Sequence, residues 1–122
     1  GKASPAEIMA ALATAGDFAA EVLATMNKRS PSSIQLAFDM YHYAKERDMG
    51  IKEALQLEYQ VCQFLKDLDK RPLSDFYEGV RAVLIDKDHN AQWAHASVTE
   101  VPSDWFDQAK AYPAKTIEFV EL

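Results

Sequence analysis

"SPSSIQLAFDMYHYAKERDMGIKEALQLEYQVCQFLKDLDK", Ser30–Lys70, decides the fold. It holds two helical patterns end to end and no strand pattern. Ser30 before Pro31 is a helix start: the hydroxyl accepts from a first-turn amide, and proline supplies a preset φ where no N–H is needed. Ile34, Ala37, Phe38, Tyr41 and Ala44 then recur at the spacing that lines one helix face. Gly50 is expected to end this helix, as a residue that tolerates positive φ. The next pattern runs from Ile51 to Lys70, a length of about 30 Å at 1.5 Å per residue. Leu55, Cys62, Leu65 and Leu68 lie close to one stripe, flanked by Tyr59, Val61 and Phe64. Arg71-Pro72 is expected to end it, since a residue before proline is pushed out of the α region.

The same grammar extends both ways. Ser4-Pro5-Ala6-Glu7 is a capping box with proline at the first helical position, and Ile8, Met9, Leu12 and Ala13 form a short apolar face behind it. Gly16 reads as a stop and Asp17 as the next cap, before Phe18, Val22 and Met26 at spacings of four. Downstream, Ser74 is placed to cap a helix with Phe76, Val80, Val83 and Leu84 as its apolar stripe. Gly79 inside that helix costs about 1 kcal/mol relative to alanine, which predicts close approach by another backbone. After Asp86 the pattern dissolves into a polar loop. A last short helix is expected near Pro102 or Ser103. The period-two pattern of Ile117 and Phe119 leaves a lone strand or an extended tail, and the extended tail is preferred. The expectation is an all-α fold of about five to six helices, with residues 1–101 as a helical domain and 102–122 as a short terminal helix and extended tail.

A chain of 122 residues fits one domain with a core of its own. Its net charge of −6, with basic residues scattered among acids, is not the footprint of a nucleic-acid or membrane-surface binder. Four glycines, none in a phosphate-cradling pattern, argue against a nucleotide loop. The single cysteine, Cys62, allows neither an internal disulfide nor a cysteine-based zinc site, and on a core stripe it reads as an inert buried thiol. No apolar run approaches the roughly 18 residues of a membrane span, and "GKASPAEI" has the pattern of neither a signal nor a transit peptide.

Chemistry-bearing residues concentrate between Asp75 and Trp93. Asp86, Asp88 and Asn90 have the spacing that opens a calcium loop, but Ala91 stands where glycine is needed and Ser97 where a bidentate glutamate is needed. A solvated helix end is the better reading. His89 and His95 are too far apart for one helical turn and no metal site is expected; His42, between two tyrosines, reads as a boundary residue. Glu78 and Arg81 stand three apart and read first as a structural ion pair. Lys87 and Trp93 suit a phosphate and an adenine ring. From residue types alone, a tryptophan pinned to the domain's own surface is the stronger reading.

The run "DFYEGVRAVLIDKD", Asp75–Asp88, closely resembles the C-terminal segment of 3-hydroxyisobutyryl-CoA hydrolases, a branch of the crotonase (enoyl-CoA hydratase/isomerase) superfamily. "MNKRSPSSI" at Met26–Ile34, "EALQLEYQVCQ" at Glu53–Gln63 and "SPAEIMAALATAG" near the start are similar to further parts of that family. The resemblance covers about residues 4–101. It implies the helical C-terminal region of a larger enzyme, one that packs on an N-terminal β/α core, joins subunit contacts and helps close an acyl-CoA pocket. In that family the core carries the oxyanion hole and the catalytic acids. No catalytic residue, no metal and no cofactor are therefore expected here, acyl-CoA being the substrate of the parent. Lys87 and Trp93 match a family lysine and aromatic near the CoA nucleotide. Where the family has Pro-Lys before the tryptophan, this chain has Ala91-Gln92, with one cation fewer.

For the parent, the resemblance implies hydrolysis of a short 3-hydroxyacyl-CoA thioester in mitochondrial valine breakdown. The expected partners are the N-terminal core, acyl-CoA in the parent and a second copy in a homo-oligomer, with neither nucleic acid nor membrane. The alternative is a non-catalytic interaction module of a crotonase-like protein, such as a subunit associated with mitochondrial ribosomes.

Overall fold

The computed structural model describes residues 3–67 and 74–120. It contains six α-helices and, among the described residues, no strand: α1 Pro5–Leu12, α2 Asp17–Met26, α3 Pro31–Glu46, α4 Ile51–Lys66, α5 Asp75–Val80 and α6 Trp105–Lys110. A π-helical turn, Arg81–Ile85, continues α5, and a 3-10 turn, Val98–Glu100, precedes α6. The all-α expectation holds.

The helix starts follow their caps. The Ser4 hydroxyl accepts from the Glu7 amide at 3.1 Å, and Glu7 reaches back to the Ser4 amide. Ser30 caps α3 through the Ser33 amide. Several punctuation residues take other posts. Gly16, not Asp17, is the N-cap of α2, at φ +102, where a side chain would be strained. The left-handed residue after α3 is Asp48, while Gly50 is the N-cap of α4 at φ −70. Ser74 stands at the N-cap of α5, but its hydroxyl donates to the Leu65 carbonyl at 2.7 Å instead of receiving an α5 amide. α4 ends at Lys66, short of Lys70; Asp67 is extended, and the Tyr112 hydroxyl donates to its carboxylate. Leu68 and the Arg71-Pro72 stop lie outside the described residues.

The core gathers Leu36 of α3, Leu57, Val61 and Phe64 of α4 and Ala109 of α6, with Met40, Tyr43, Trp105, Phe106 and Tyr112 packed around them. Leu36 is 1% exposed and Phe64 2%. Phe64 meets Trp105 edge to face at 5.6 Å, and Tyr43 meets Phe106 at 5.5 Å.

These buried stripes are offset from the expected ones. In α3 the core takes Leu36, Met40 and Tyr43, leaving Ala37 and Tyr41 exposed. In α4 it takes Leu57, Val61 and Phe64, with Leu65 of the expected stripe packed beside them; Cys62 is exposed, which overturns its reading as a buried thiol. In α2 it is Ala19 that is buried, with Phe18 in solvent. The physical reason is common to all three: each helix is apolar around more than one face, so periodicity alone does not choose which face the core takes. In α5 the outcome is inverted. Asp75 is buried, whereas Phe76 is exposed, and Val83 and Leu84 in the π turn are 50% and 65% exposed.

Candidate functional site

The segment from Ser74 to Ala94 is built on two polar anchors. Asp75 opens α5 inside the protein. One of its carboxylate oxygens accepts from the Ser30 hydroxyl at 2.5 Å and the Ser32 hydroxyl at 3.1 Å, and the other from the Ala94 amide at 2.9 Å. A buried carboxylate is tolerated only with such donors. It ties the start of α3, the start of α5 and the far end of the loop together.

The second anchor is Arg81. Its guanidinium forks onto Glu78 at 2.9 and 2.6 Å, reaches Asp86 at 2.7 Å and Asp88 at 2.9 Å, and donates to the Asn90 carbonyl at 3.3 Å. Five donors in a planar fork allow this, where lysine would not. Glu78 also accepts from the Gln92 amide at 2.8 Å. The hydrogen bonds from Arg81 hold the Glu78 carboxyl down to about 2 and keep Asp88 below its usual value; the same bonds raise Arg81. Glu78 and Arg81 thus form the expected structural pair, extended to two more carboxylates. The oxygens of Asp86 and Asp88 that the calcium spacing singled out point at an arginine. The turn widens here: the Asp86 amide donates to the Arg81 carbonyl at 2.8 Å, five residues back, and the His89 amide to the Ala82 carbonyl at 2.9 Å.

The clasp delivers Trp93 onto α5. Its indole N–H donates to the Lys28 carbonyl at 3.2 Å. Its ring lies over Gly79, where a methyl group would meet ring carbons at 3.5 and 3.6 Å. The close approach inferred from Gly79 is therefore by an aromatic ring and not by a backbone. Trp93 is a shared wall of two surface hollows. One, of about 520 Å³, is apolar and bounded by Cys62, Leu65, Phe76, Val80, Val83 and Leu84. The other, of about 560 Å³, has Lys28, Arg29 and His89 on its rim.

Of the expected site residues, then, Trp93 stands between the two hollows. Lys87 is exposed with φ +55 and borders neither. The cations that share a hollow with Trp93 are Lys28 and Arg29 in one and Lys66 in the other; sequence reasoning singled out none of them as a site residue, although Lys28 and Arg29 lie in the family-like stretch "MNKRSPSSI". His95 stacks edge-on against Trp105 at 4.9 Å, away from His89. His42 stacks on Phe38 at 4.2 Å and is half-buried. Among the described residues no three histidine, cysteine or acidic side chains gather as for a metal ion, and no helix is long and apolar enough to cross a membrane.

Comparison with known proteins decides the family. The enoyl-CoA hydratase/isomerase family model matches residues 1–109. The chain belongs to the enoyl-CoA hydratase/isomerase family. It is 41% identical over 103 residues to a protein of Xenopus laevis named 3-hydroxyisobutyryl-CoA hydrolase, mitochondrial, a match covering 83% of this chain and 25% of that protein. Proteins of the same name match from Xenopus tropicalis, at 38% identity over 74% of the chain and 22% of the relative, and from Homo sapiens, at 36% over 71% and 21%. The chain thus spans about a quarter or less of the length of these family members. No solved structure matches.

Proposed function

We propose that this chain is the C-terminal helical part of a 3-hydroxyisobutyryl-CoA hydrolase-like protein, and that it closes an acyl-CoA site without supplying the catalytic groups. The observation that carries this reading is the inverted α5 segment. Its apolar side chains, Phe76, Val80, Val83 and Leu84, border an open hollow while its carboxylate is buried. A helix that spends a buried aspartate on fixing its own orientation, and leaves its large apolar groups outside, is built to be covered. The unused apolar faces of α3 and α4 support the same view. So does the share of the relatives that the chain spans, which leaves about three-quarters of such a protein to do the covering.

In this reading the parent hydrolyses a short 3-hydroxyacyl-CoA thioester in mitochondria, where its relatives' names place them. Trp93 and Lys87 are the proposed contacts to the CoA nucleotide. A second reading, a non-catalytic interaction module, draws support from Ala91-Gln92, which lack the family's cation before the tryptophan.

The test starts with the sequence encoded upstream of Gly1, followed by expression of the whole product. A core with its carboxylates predicts hydrolysis of 3-hydroxyisobutyryl-CoA by the whole protein, and none by the pure 122-residue chain. Saturable cleavage by the chain alone would overturn the division of labour. A core without carboxylates would shift the assignment to the interaction module.

A further inference from the structure

Residues 113–120 carry a feature independent of the reading above. They lie beyond residues 1–109, which match the family, yet they run extended across that domain. The Gln56 side chain, on α4, donates to the Lys115 carbonyl at 3.1 Å and accepts from the Ile117 amide at 2.7 Å. One amide thereby bonds the carbonyl of one residue and the N–H two residues on, as a neighbouring strand would. Gln60, one helical turn further, donates to the Lys110 carbonyl at 2.9 Å and anchors the entry. Side chains alternate as in a strand: Ile117 and Phe119 are half-buried, while Thr116, Glu118 and Val120 are exposed. Ile117 and Phe119 line a hollow of about 420 Å³ together with Tyr43, Met49 and Leu57, and the Lys52 ammonium stands 5.8 Å from the Phe119 ring. Backbone bonds that read no side chain, combined with seats for alternate side chains, are how proteins recognise extended peptides.

We propose that this groove of α3, α4 and α6 is a recognition site for an extended peptide with large apolar side chains at alternate positions, and that residues 113–120 occupy it as an intramolecular ligand. The short tether gives the tail a high effective concentration, so the groove need bind it only weakly.

The experiment uses the full chain carrying I117D and F119D, which vacates the groove, titrated with a synthetic peptide of residues 113–120. Saturable shifts of the α4 backbone amides of Leu55 and Leu57 in NMR spectra are expected, a readout that survives substitution of Gln56. Adding Gln56→Ala is expected to weaken binding by about tenfold, as befits the loss of two hydrogen bonds. Absence of saturable binding by a variant of unchanged helix content, or binding indifferent to Gln56, would overturn the proposal. In the unsubstituted chain the Ile117 amide should exchange with solvent more slowly than those of Thr116 and Glu118. Equal exchange would overturn it independently of the variant, and a dimer that forms only through the tail would overturn the assignment of the groove to its own chain.

Discussion

Gly79 and Arg81 sit two positions apart and answer different questions. Gly79 has an ordinary helical backbone, and the Trp93 ring leaves van der Waals distance for a methyl group. Gly79→Ala should therefore stabilise the chain, by about 0.5–1 kcal/mol from the reduced backbone entropy of the unfolded state. Urea unfolding checks this; destabilisation would mean that the ring sits closer than ordinary contact allows. The Arg81 clasp predicts an acid limb in stability. The folded state holds Glu78 at about 2, below its ordinary value of 4.5, and lowers Asp88 as well. A depressed carboxyl stabilises the fold above its unfolded value and loses that contribution as protons bind. Stability should thus fall as pH drops from about 4.5 towards 2. Arg81→Met should flatten that limb and speed proteolysis of the 86–93 loop at neutral pH, since three carboxylates would then face one another. An unchanged pH profile in the variant would exclude the clasp as the cause. The Glu78–Arg81 pair was legible from a spacing of three. The recruitment of Asp86 and Asp88 was not, because it depends on a π turn that no local pattern announces.

At the scale of the helix, α4 separates what periodicity can and cannot tell. Its existence, its start after Gly50 and its amphipathic character were all readable. Its rotation was readable only in part: Leu65 of the expected stripe packs against the core and the flanking Val61 and Phe64 are buried, but Leu55 and Cys62 face outward, and the α3 and α6 contacts take Leu57 instead. Paired substitutions test that rotation. Phe64→Ala should cost about 3–5 kcal/mol, as for a fully buried aromatic, while Cys62→Ala should stay within about 0.5 kcal/mol, as for an exposed site. Cys62 should also react with a thiol reagent in the folded chain at a rate near that of the unfolded one. Protection of Cys62, with a large cost for its truncation, would restore the stripe the sequence favoured. The same ambiguity displaced the α3 face from Tyr41 to Tyr43. Caps, by contrast, were read correctly at Ser4 and Ser30, because capping is settled within four residues and owes nothing to distant packing.

For the molecule as a whole, the proposed function gives the mismatched stripes one reading: they are faces meant for the rest of a larger protein, and the chain spans about a quarter of the length of the relative it matches at 41% identity. The π turn is the sharpest case, with Val83 and Leu84 half or more in solvent beside the hollow at Trp93. If that face is free in the isolated chain, Val83→Asp with Leu84→Asp should leave its unfolding free energy within about 0.5 kcal/mol and reduce the fluorescence of a bound apolar dye such as ANS. If the proposed function holds, the same two carboxylates would be buried without partners in the whole protein, at a cost of several kcal/mol. There they should lower the melting temperature and the thioester hydrolysis of the parent together. The contrast between the two contexts is the informative quantity. A large loss already in the isolated chain would mean that this face belongs to the chain's own core. No loss in the whole protein would mean that the remaining three-quarters of the parent dock elsewhere, with the aromatic-walled hollow left open for another partner.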